Sequence, residues 1–345
     1  MRIAQVMAGA AHGGAELFFE RMTIALARAG ETVLPIIRSE PARIARLRHA
    51  GLAPVSLRFG GTLDFFTTPR VAAVLRDFAP NVAIAWMSRA AAHAPRGDWT
   101  LVGRLGGYYD LKYFRRCDVL VGNTHGIVRW IVEQGFPSSC TYYLPNFVDD
   151  FAFTRPTDPA ELGVPSGTPI VLALGRLHTV KGFDTLIHAM TRVPEAHLVI
   201  AGEGPERAAL ESLIGGLDIA ARVHLVGWRR DIGGLLKAAT VFVSSSRHEP
   251  LGNMILEAFS SATPVVAAGA EGPREIIRDG VDGLLVPIDE ACVMADAITR
   301  LIMDRALANG MAEAGRVRYE DDFAEPVVVS AWLSLFGKLV HSCAG

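Results

Sequence analysis

The chain has 345 residues, half of them hydrophobic and 20% charged, a balance that excludes a disordered chain and gives enough length for two domains. Its 34 glycines and 19 prolines follow no fixed period, which excludes a collagen-like or low-complexity chain, and no apolar run approaches the ~20 residues of a membrane-spanning helix. The net charge of -2 hides an asymmetry: residues 1–148 carry 17 Lys+Arg against 10 Asp+Glu, and residues 149–345 carry 17 against 26. In the first part every basic residue except Lys112 is an arginine, the cation suited to bidentate contacts with phosphate or carboxylate, so this half is expected to meet something anionic.

In chain order the grammar is strand, glycine turn, helix. Arg2–Ala8 is an apolar strand, read as structure rather than as a signal peptide because Gln5, His12 and a glycine pair interrupt it. Gly13-Gly14-Ala15-Glu16 opens a helix with Phe18, Met22, Ala25 and Ala29 on one face, and Gly30 ends it. Strands follow at Thr32–Ile37, Asn81–Met87, Thr100–Arg104, Asp118–Gly122 and Thr141–Leu144, with helices at Arg43–Arg48 and Val71–Phe78 between them. From Pro145 the composition becomes that of a linker, with Pro156, Pro159, Pro165 and Pro169. The grammar then restarts with strands Ile170–Leu174, Leu198–Ala201, Val223–Val226, Val241–Ser244 and Pro264–Ala267. Such alternation implies two doubly wound α/β domains, and ligands of such sheets bind beyond the carboxyl ends of the strands. Cys117, Cys140, Cys292 and Cys343 are scattered, with no zinc-binding spacing and no disulfide framework, which fits a reducing cytoplasm.

Five segments lie at or just beyond predicted strand ends. Gly13 and Gly14 let backbone approach a ligand, and the N–H groups opening the helix favour an anion. Arg176 and Lys181 put two cations at a helix opening, where the dipole disfavours them unless an anion such as a diphosphate lies there. Gly202-Glu203-Gly204 approaches a dinucleotide fingerprint, but Arg207 stands where the third glycine belongs, which argues against a nicotinamide or flavin enzyme. Gly227-Trp228 follows a strand and could border a base or ribose, although packing is the commoner use of a single aromatic. In Glu249-Pro250-Leu251-Gly252-Asn253, with Glu257 eight residues after Glu249, Pro250 suits a first helical turn. Leu251, Met254, Ile255, Ala258, Phe259 and Ala262 then form an apolar face. Carboxylates there suit sugar hydroxyls, and the helix-opening N–H groups suit phosphate oxygens.

In this order and spacing, the segments from Met1 to about Pro287 resemble family 4 of the retaining glycosyltransferases, including Ala268-Gly269 through Glu275 and the later Gly280 and Gly283. The resemblance implies the GT-B architecture, two Rossmann-like doubly wound domains facing across a cleft. Residues 1–148 with a C-terminal helix at about 326–345 would bind the acceptor, and residues 149–325 the nucleotide-sugar. It implies that Arg176 and Lys181 hold the diphosphate and stabilise it as it leaves. Glu249 would bind the donor sugar and Glu257 the ribose, with N–H groups of Leu251, Gly252 and Asn253 on sugar and phosphate. Gly13 and Gly14 would approach the phosphates, and the turns at Gly202, Glu203, Gly204, Gly227 and Trp228 would border the nucleotide. No cofactor and no metal are implied, and the chain contains no Asp-x-Asp pair.

Where many relatives carry an acceptor-side histidine, this chain reads Trp86-Met87-Ser88-Arg89, and the nearest histidine is His93. Arg89, His93, Arg104 and Asn123 are the acceptor-side candidates, with a partly exposed structural role the simpler reading of His93. The arginines Arg38, Arg43, Arg46 and Arg48 with His49, and Tyr108, Tyr109 and Tyr113 near Lys112, Arg115 and Arg116, fit an anionic saccharide or glycolipid acceptor. The stretch Gly103–Tyr109, with Asn123-Thr124 and Pro145-Asn146, is similar to bacterial transferases of lipopolysaccharide core assembly. The expected partners are therefore a nucleotide-sugar, a UDP-hexose by family frequency, and an acceptor at the inner face of the cytoplasmic membrane, with peripheral contact to its anionic surface. No nucleic-acid-binding module is present. A nucleotide-sugar epimerase or hydrolase of the same architecture, and a non-catalytic nucleotide-sugar-binding protein, are the alternatives.

Overall fold

The computed structural model describes residues 1–11, 13–60 and 64–342. It divides into two units, Met1–Phe147 with Glu325–Gly345, and Val148–Ala324. The first unit runs β1 (Arg2–Met7), α1 (Gly14–Arg28), β2 (Thr32–Arg38), α2 (Pro41–His49), β3 (Val55–Leu57), α3 (Thr67–Phe78), β4 (Val82–Trp86), α4 (Met87–His93), β5 (Thr100–Leu105), β6 (Val119–Gly122), α5 (His125–Glu133) and β7 (Thr141–Tyr143). All seven strands are parallel, in the order β3-β2-β1-β4-β5-β6-β7.

Both faces of this sheet are covered, so β1 is apolar at nearly every position rather than alternating. Ile3 and Met7 join Phe18, Phe19 and Met22 of α1 on one face, while Ala4 and Val6 join Val71, Leu75 and Ile127 on the other. Gln5 is the polar exception, fully buried, and its side-chain carbonyl accepts from the Trp86 indole N–H. Ala29, expected on the apolar face of α1, caps the helix and is exposed.

The second unit runs β8 (Ile170–Leu174), α6 (Phe183–Met190), β9 (His197–Ala201), α7 (Arg207–Gly216), β10 (Val223–Gly227), α8 (Ile232–Ala238), β11 (Val241–Ser244), α9 (Asn253–Ser260), β12 (Val265–Ala268), α10 (Glu271–Ile276), β13 (Leu284–Val286), α11 (Ala291–Met303) and α12 (Arg305–Arg318). Its parallel sheet is ordered β10-β9-β8-β11-β12-β13. All five residues of β8 are buried, Val171 and Ala173 facing one core and Ile170, Leu172 and Leu174 the other.

The last helix, α13 (Glu325–Ser342), belongs to the first unit. The sequence hid one feature here: the helical run Arg305–Val340 is long and apolar enough by composition to cross a membrane. Val328, Trp332 and Phe336 are instead buried in the core of the first unit, beside Phe18 and Phe147, and this burial explains the apolar composition. Cys117, Cys140 and Cys292 are unpaired thiols, and Cys343 lies outside the described residues.

Candidate functional site

The strand order reverses between β8 and β11 in the second unit, and between β1 and β4 in the first. Chains leaving neighbouring strands at such a point diverge to opposite faces of the sheet and leave a crevice at its carboxyl edge. The loops that follow β8 and β11 carry Arg176, Lys181 and Glu249, the residues expected on the donor side.

These two loops are stitched together. The Arg247 backbone N–H donates to the Val180 carbonyl at 2.8 Å, and the Ser245 hydroxyl to the Lys181 carbonyl at 2.8 Å. The Arg247 guanidinium donates to the Thr179 carbonyl at 2.7 Å, to both Asp184 oxygens at 2.9 and 2.7 Å, and to Asp289 at 2.7 Å. Gly182 completes the turn at φ 61°, and a Cβ there would collide with the Ser245 carbonyl oxygen. The result brings the Lys181 ammonium onto the Glu249 carboxylate, with the two side chains only 16% and 14% exposed. The Ser246 hydroxyl lies 3.4 Å from the same carboxylate oxygen.

This pair changes one sequence argument. Lys181 does not need an outside anion to offset the helix opening, because Glu249, 68 residues away in sequence, supplies the counter-charge. Arg176 does fit that argument: it is exposed, with no ion pair or hydrogen bond among the described residues.

The start of α9 also differs from expectation. Gly252, at φ 102°, is the N-cap, so the helix opens at Asn253; Pro250 and Leu251 precede it in a loop. At the other end Ala262 has φ 53° and is exposed, outside the apolar face. Glu257 is 8% exposed, so it is not a solvent-facing carboxylate. The helix opens directly from the loop that leaves β11.

Gly202 and Gly204 have a packing reason of their own. The Gly202 N–H donates to the Gly227 carbonyl at 2.8 Å, and the Glu203 carbonyl accepts from Leu177 at 3.0 Å. A Cβ at Gly202 would collide with the Gly175 carbonyl, and one at Gly204 with the Leu177 carbonyl. Side-chain-free residues thus lock the loops after β8, β9 and β10 side by side. Glu203 pairs with Arg207, which fills the place of the missing third glycine and also reaches Glu211 at 2.8 Å. Trp228, following Gly227 at φ 73°, is 65% exposed. A cavity of about 500 Å³ beside this loop is lined by Phe151, Arg155, Thr157, Arg230, Asp231 and Gly234.

In the first unit, Gly13 and Gly14 open α1 next to the β1–β4 reversal. Their loop already contains an anion: the Glu16 carboxylate accepts from the Ala10 N–H at 2.8 Å and occupies the space that a Cβ at Gly9 or Gly13 would need. On the other side of the reversal, Met87 has φ 63°, which ends β4 at Trp86, one residue earlier than expected. A non-glycine residue in this region is strained by about 1–2 kcal/mol.

Arg89 is exposed on α4. His93 is half-buried, with Nδ1 3.0 Å from the Thr68 hydroxyl and its ring edge-on to Phe59 at 5.9 Å. Burial, reinforced by Arg116 and Arg89, lowers its pKa.

Arg104 is fully buried at the end of β5. One terminal nitrogen donates to Asn146, its guanidinium lies 5.2 and 5.1 Å from the Phe18 and Trp86 rings, and Nε and Nη1 have no hydrogen-bond partner among the described residues. Burial lowers its pKa to about 10, so it still carries its charge at neutral pH. Asn123, just beyond the adjacent β6, has a buried side-chain oxygen that is also unpartnered among the described residues. Sequence reasoning assigned Arg43 and Arg46 to an anion-binding face. Both instead contact Glu20 of α1: Arg43 Nε at 2.9 Å and Arg46 Nε at 2.6 Å.

Residues 154–318 match the family of glycosyl transferases group 1. Over 328 residues the chain is 37% identical to the lipopolysaccharide core biosynthesis glycosyltransferase LpsE of Rhizobium meliloti (strain 1021), covering 94% of this chain and 95% of that one. It is 32% identical to LpsD of the same organism over 334 residues, again covering 94% and 95%. The fold is that of Anabaena HepE solved in complex with UDP, with a TM-score of 0.84, 21% identity, and coverage of 98% of this chain and 100% of that one. With two parallel-sheet Rossmann-like units and relatives matched along nearly its whole length, the chain belongs to the group 1 glycosyltransferases of GT-B architecture.

Proposed function

We propose that this glycosyltransferase moves a hexose from a UDP-hexose to a saccharide hydroxyl of lipopolysaccharide core or a similar anionic glycolipid, with retention of configuration and without a metal ion. The observation that carries this reading is the Lys181–Glu249 pair at the β8–β11 reversal, with Arg176 exposed on the same loop. The names of the LpsE and LpsD relatives support the acceptor class, and the UDP in HepE supports the nucleotide.

In this reading the donor diphosphate lies against Arg176 and Lys181. Drawing the ammonium toward phosphate frees a Glu249 oxygen to accept from a hydroxyl of the donor sugar. Glu257 accepts from the ribose hydroxyls, and N–H groups of Leu251, Gly252 and Asn253 meet sugar and phosphate. Gly202, Glu203, Gly204, Gly227 and Trp228 border the nucleotide, the exposed indole offering a flat apolar face. The bond from the anomeric carbon to the diphosphate breaks while the bond to the acceptor oxygen forms on the same face. The acceptor proton passes to the departing phosphate oxygen, so no separate base is required. The two cations stabilise the charge that develops on the leaving group.

The first unit supplies the acceptor side, through Arg89, His93, Arg104 and Asn123. Arg104 in particular is a buried cation without a carboxylate partner among the described residues, suited to an acidic substituent. Peripheral contact with an anionic membrane from the cytoplasmic side is supported by Phe65 and Phe66, 73% and 70% exposed beside the exposed Arg70. Tyr113, Arg115 and Arg116 are exposed in the same unit.

The test incubates the chain with UDP-glucose and UDP-galactose, a lipopolysaccharide core acceptor and excess chelator. A glycosylated product whose anomeric proton coupling matches that of the donor supports every part of the reading. An inverted product contradicts retention, transfer only after Mg²⁺ or Mn²⁺ is restored contradicts metal independence, and hydrolysis alone contradicts transfer.

A further inference from the structure

Arg43 is fully buried, yet its position is not explained by its ion pair alone. Besides donating through Nε to Glu20, it donates through Nη2 to the Ala10 carbonyl at 2.8 Å and lies 3.4 Å from the Ala11 carbonyl. Its Nη1 is buried without a partner among the described residues. Ala10 and Ala11 belong to the exposed loop that joins β1 to α1 at the strand reversal. Glu16 holds the same loop from its other end through the Ala10 N–H.

A trans peptide points its C=O and N–H in opposite directions. Fixing the Ala10 carbonyl inward on Arg43 therefore turns the Ala11 N–H away from the core. It also leaves a guanidinium charge, only partly matched by one carboxylate shared with Arg46, directly beneath the loop.

We propose that Arg43 is a positioning residue of the transfer reaction, which sets the backbone of the loop so that the Ala11 N–H faces an anionic substrate group. This rests on the reading of the chain as a sugar transferase. The anion is a phosphate of the donor or an acidic group of the acceptor, and the kinetics separate them. A role confined to joining α2 to α1 would need only the contact with Glu20.

The test compares Arg43→Gln, Arg43→Lys and Arg46→Gln. Arg46→Gln cuts the half-exposed side of the same cluster and leaves Arg43 on the loop, so kcat should stay within about threefold of the wild type. Arg43→Gln should lower kcat by on the order of 10–10²-fold, the scale of a displaced reacting geometry. Arg43→Lys, which can still donate to one carbonyl, should recover part of the loss. A raised KM for the nucleotide-sugar identifies the donor phosphate, and a raised KM for the acceptor identifies its acidic group. Unchanged kcat per folded molecule in Arg43→Gln, or in Arg43→Lys where the former does not fold, overturns the proposal. Where the wild type itself transfers no sugar, the function reading fails separately. Amide exchange then decides: faster exchange confined to residues 8–11 in the Arg43 variants supports the anchoring, and unchanged exchange overturns it.

Discussion

Lys181→Ala and Arg176→Ala are expected to impair turnover alike and stability very differently. Each removes one preorganised cation from the leaving group, a loss on the order of 10²–10³ in kcat. Lys181, however, also neutralises Glu249 in a pair whose side chains are 16% and 14% exposed. Two unit charges about 4 Å apart interact by about 4 kcal/mol at an effective dielectric near 20. Deleting one member of a buried pair costs about 3–5 kcal/mol, chiefly because the other charge is stranded. Residual solvent around these side chains places the expected loss at about 2–3 kcal/mol. Arg176 is exposed with no partner among the described residues, so its removal should change stability by no more than about 0.5 kcal/mol. Urea unfolding read by amide exchange in β8 and α9 reports the second unit alone, and the same preparations give kcat. The double variant Lys181→Ala/Glu249→Ala should recover about 1–2 kcal/mol relative to Lys181→Ala, since no charge is left stranded. Equal destabilisation by the two single variants, or wild-type turnover in Arg176→Ala, would refute the reasoning.

Gly182→Ala should disable the site through the backbone: its φ of 61° and the Ser245 carbonyl leave no place for a Cβ. A loss of at least about 2 kcal/mol in urea is expected, from left-handed strain plus the collision, and an unchanged midpoint would contradict it. His197 Nδ1 and His224 Nε2 are 2.9 Å apart, and burial lowers both pKa values, Arg222 adding to the effect on His197 and His197 itself to that on His224. The unfolded chain takes up protons near pH 6.5 that the folded pair refuses, so stability is full above that value and falls as the pH drops below it. A His224→Gln variant should lose part of this dependence between pH 7 and 5, measured by urea midpoints. Vesicles containing anionic lipid should sediment the wild-type chain and release it at high salt, while Phe65→Ser/Phe66→Ser should bind less; equal binding of the variant would remove these residues from the membrane face.

The central strands were readable because burial on both faces made them continuous apolar runs, as in Ile170–Leu174. β3 and β13, three residues each, were not read from the sequence. Periodicity overran α9 at both ends: Leu251 is apolar because its loop is buried, while Gly252 and Ala262 take left-handed conformations that the pattern cannot register. The placement of Arg176 and Lys181 after β8, and of Glu249 and Glu257 after the neighbouring β11, followed from the repeated strand–helix grammar.

Pairings were another matter. Glu249 finds Lys181 across 68 residues, and Arg43 finds Glu20 across 23, so no local pattern could say that the lysine is neutralised or that the arginine is buried. Arg43 counted toward a basic face because charge composition does not record direction. The strain at Met87 left no sequence signal, since methionine carries no bias toward a positive φ.

Calorimetric titration with UDP, GDP, ADP and NAD in the absence of metal tests the donor site most directly. Binding of UDP, strongly weakened in Arg176→Ala and retained in Glu249→Ala, is the expected result, since the arginine meets phosphate and the glutamate meets the sugar. Binding of NAD alone, of no nucleotide, or of UDP with equal affinity in Arg176→Ala would contradict the assignment of the β8–β11 reversal as the nucleotide-sugar site.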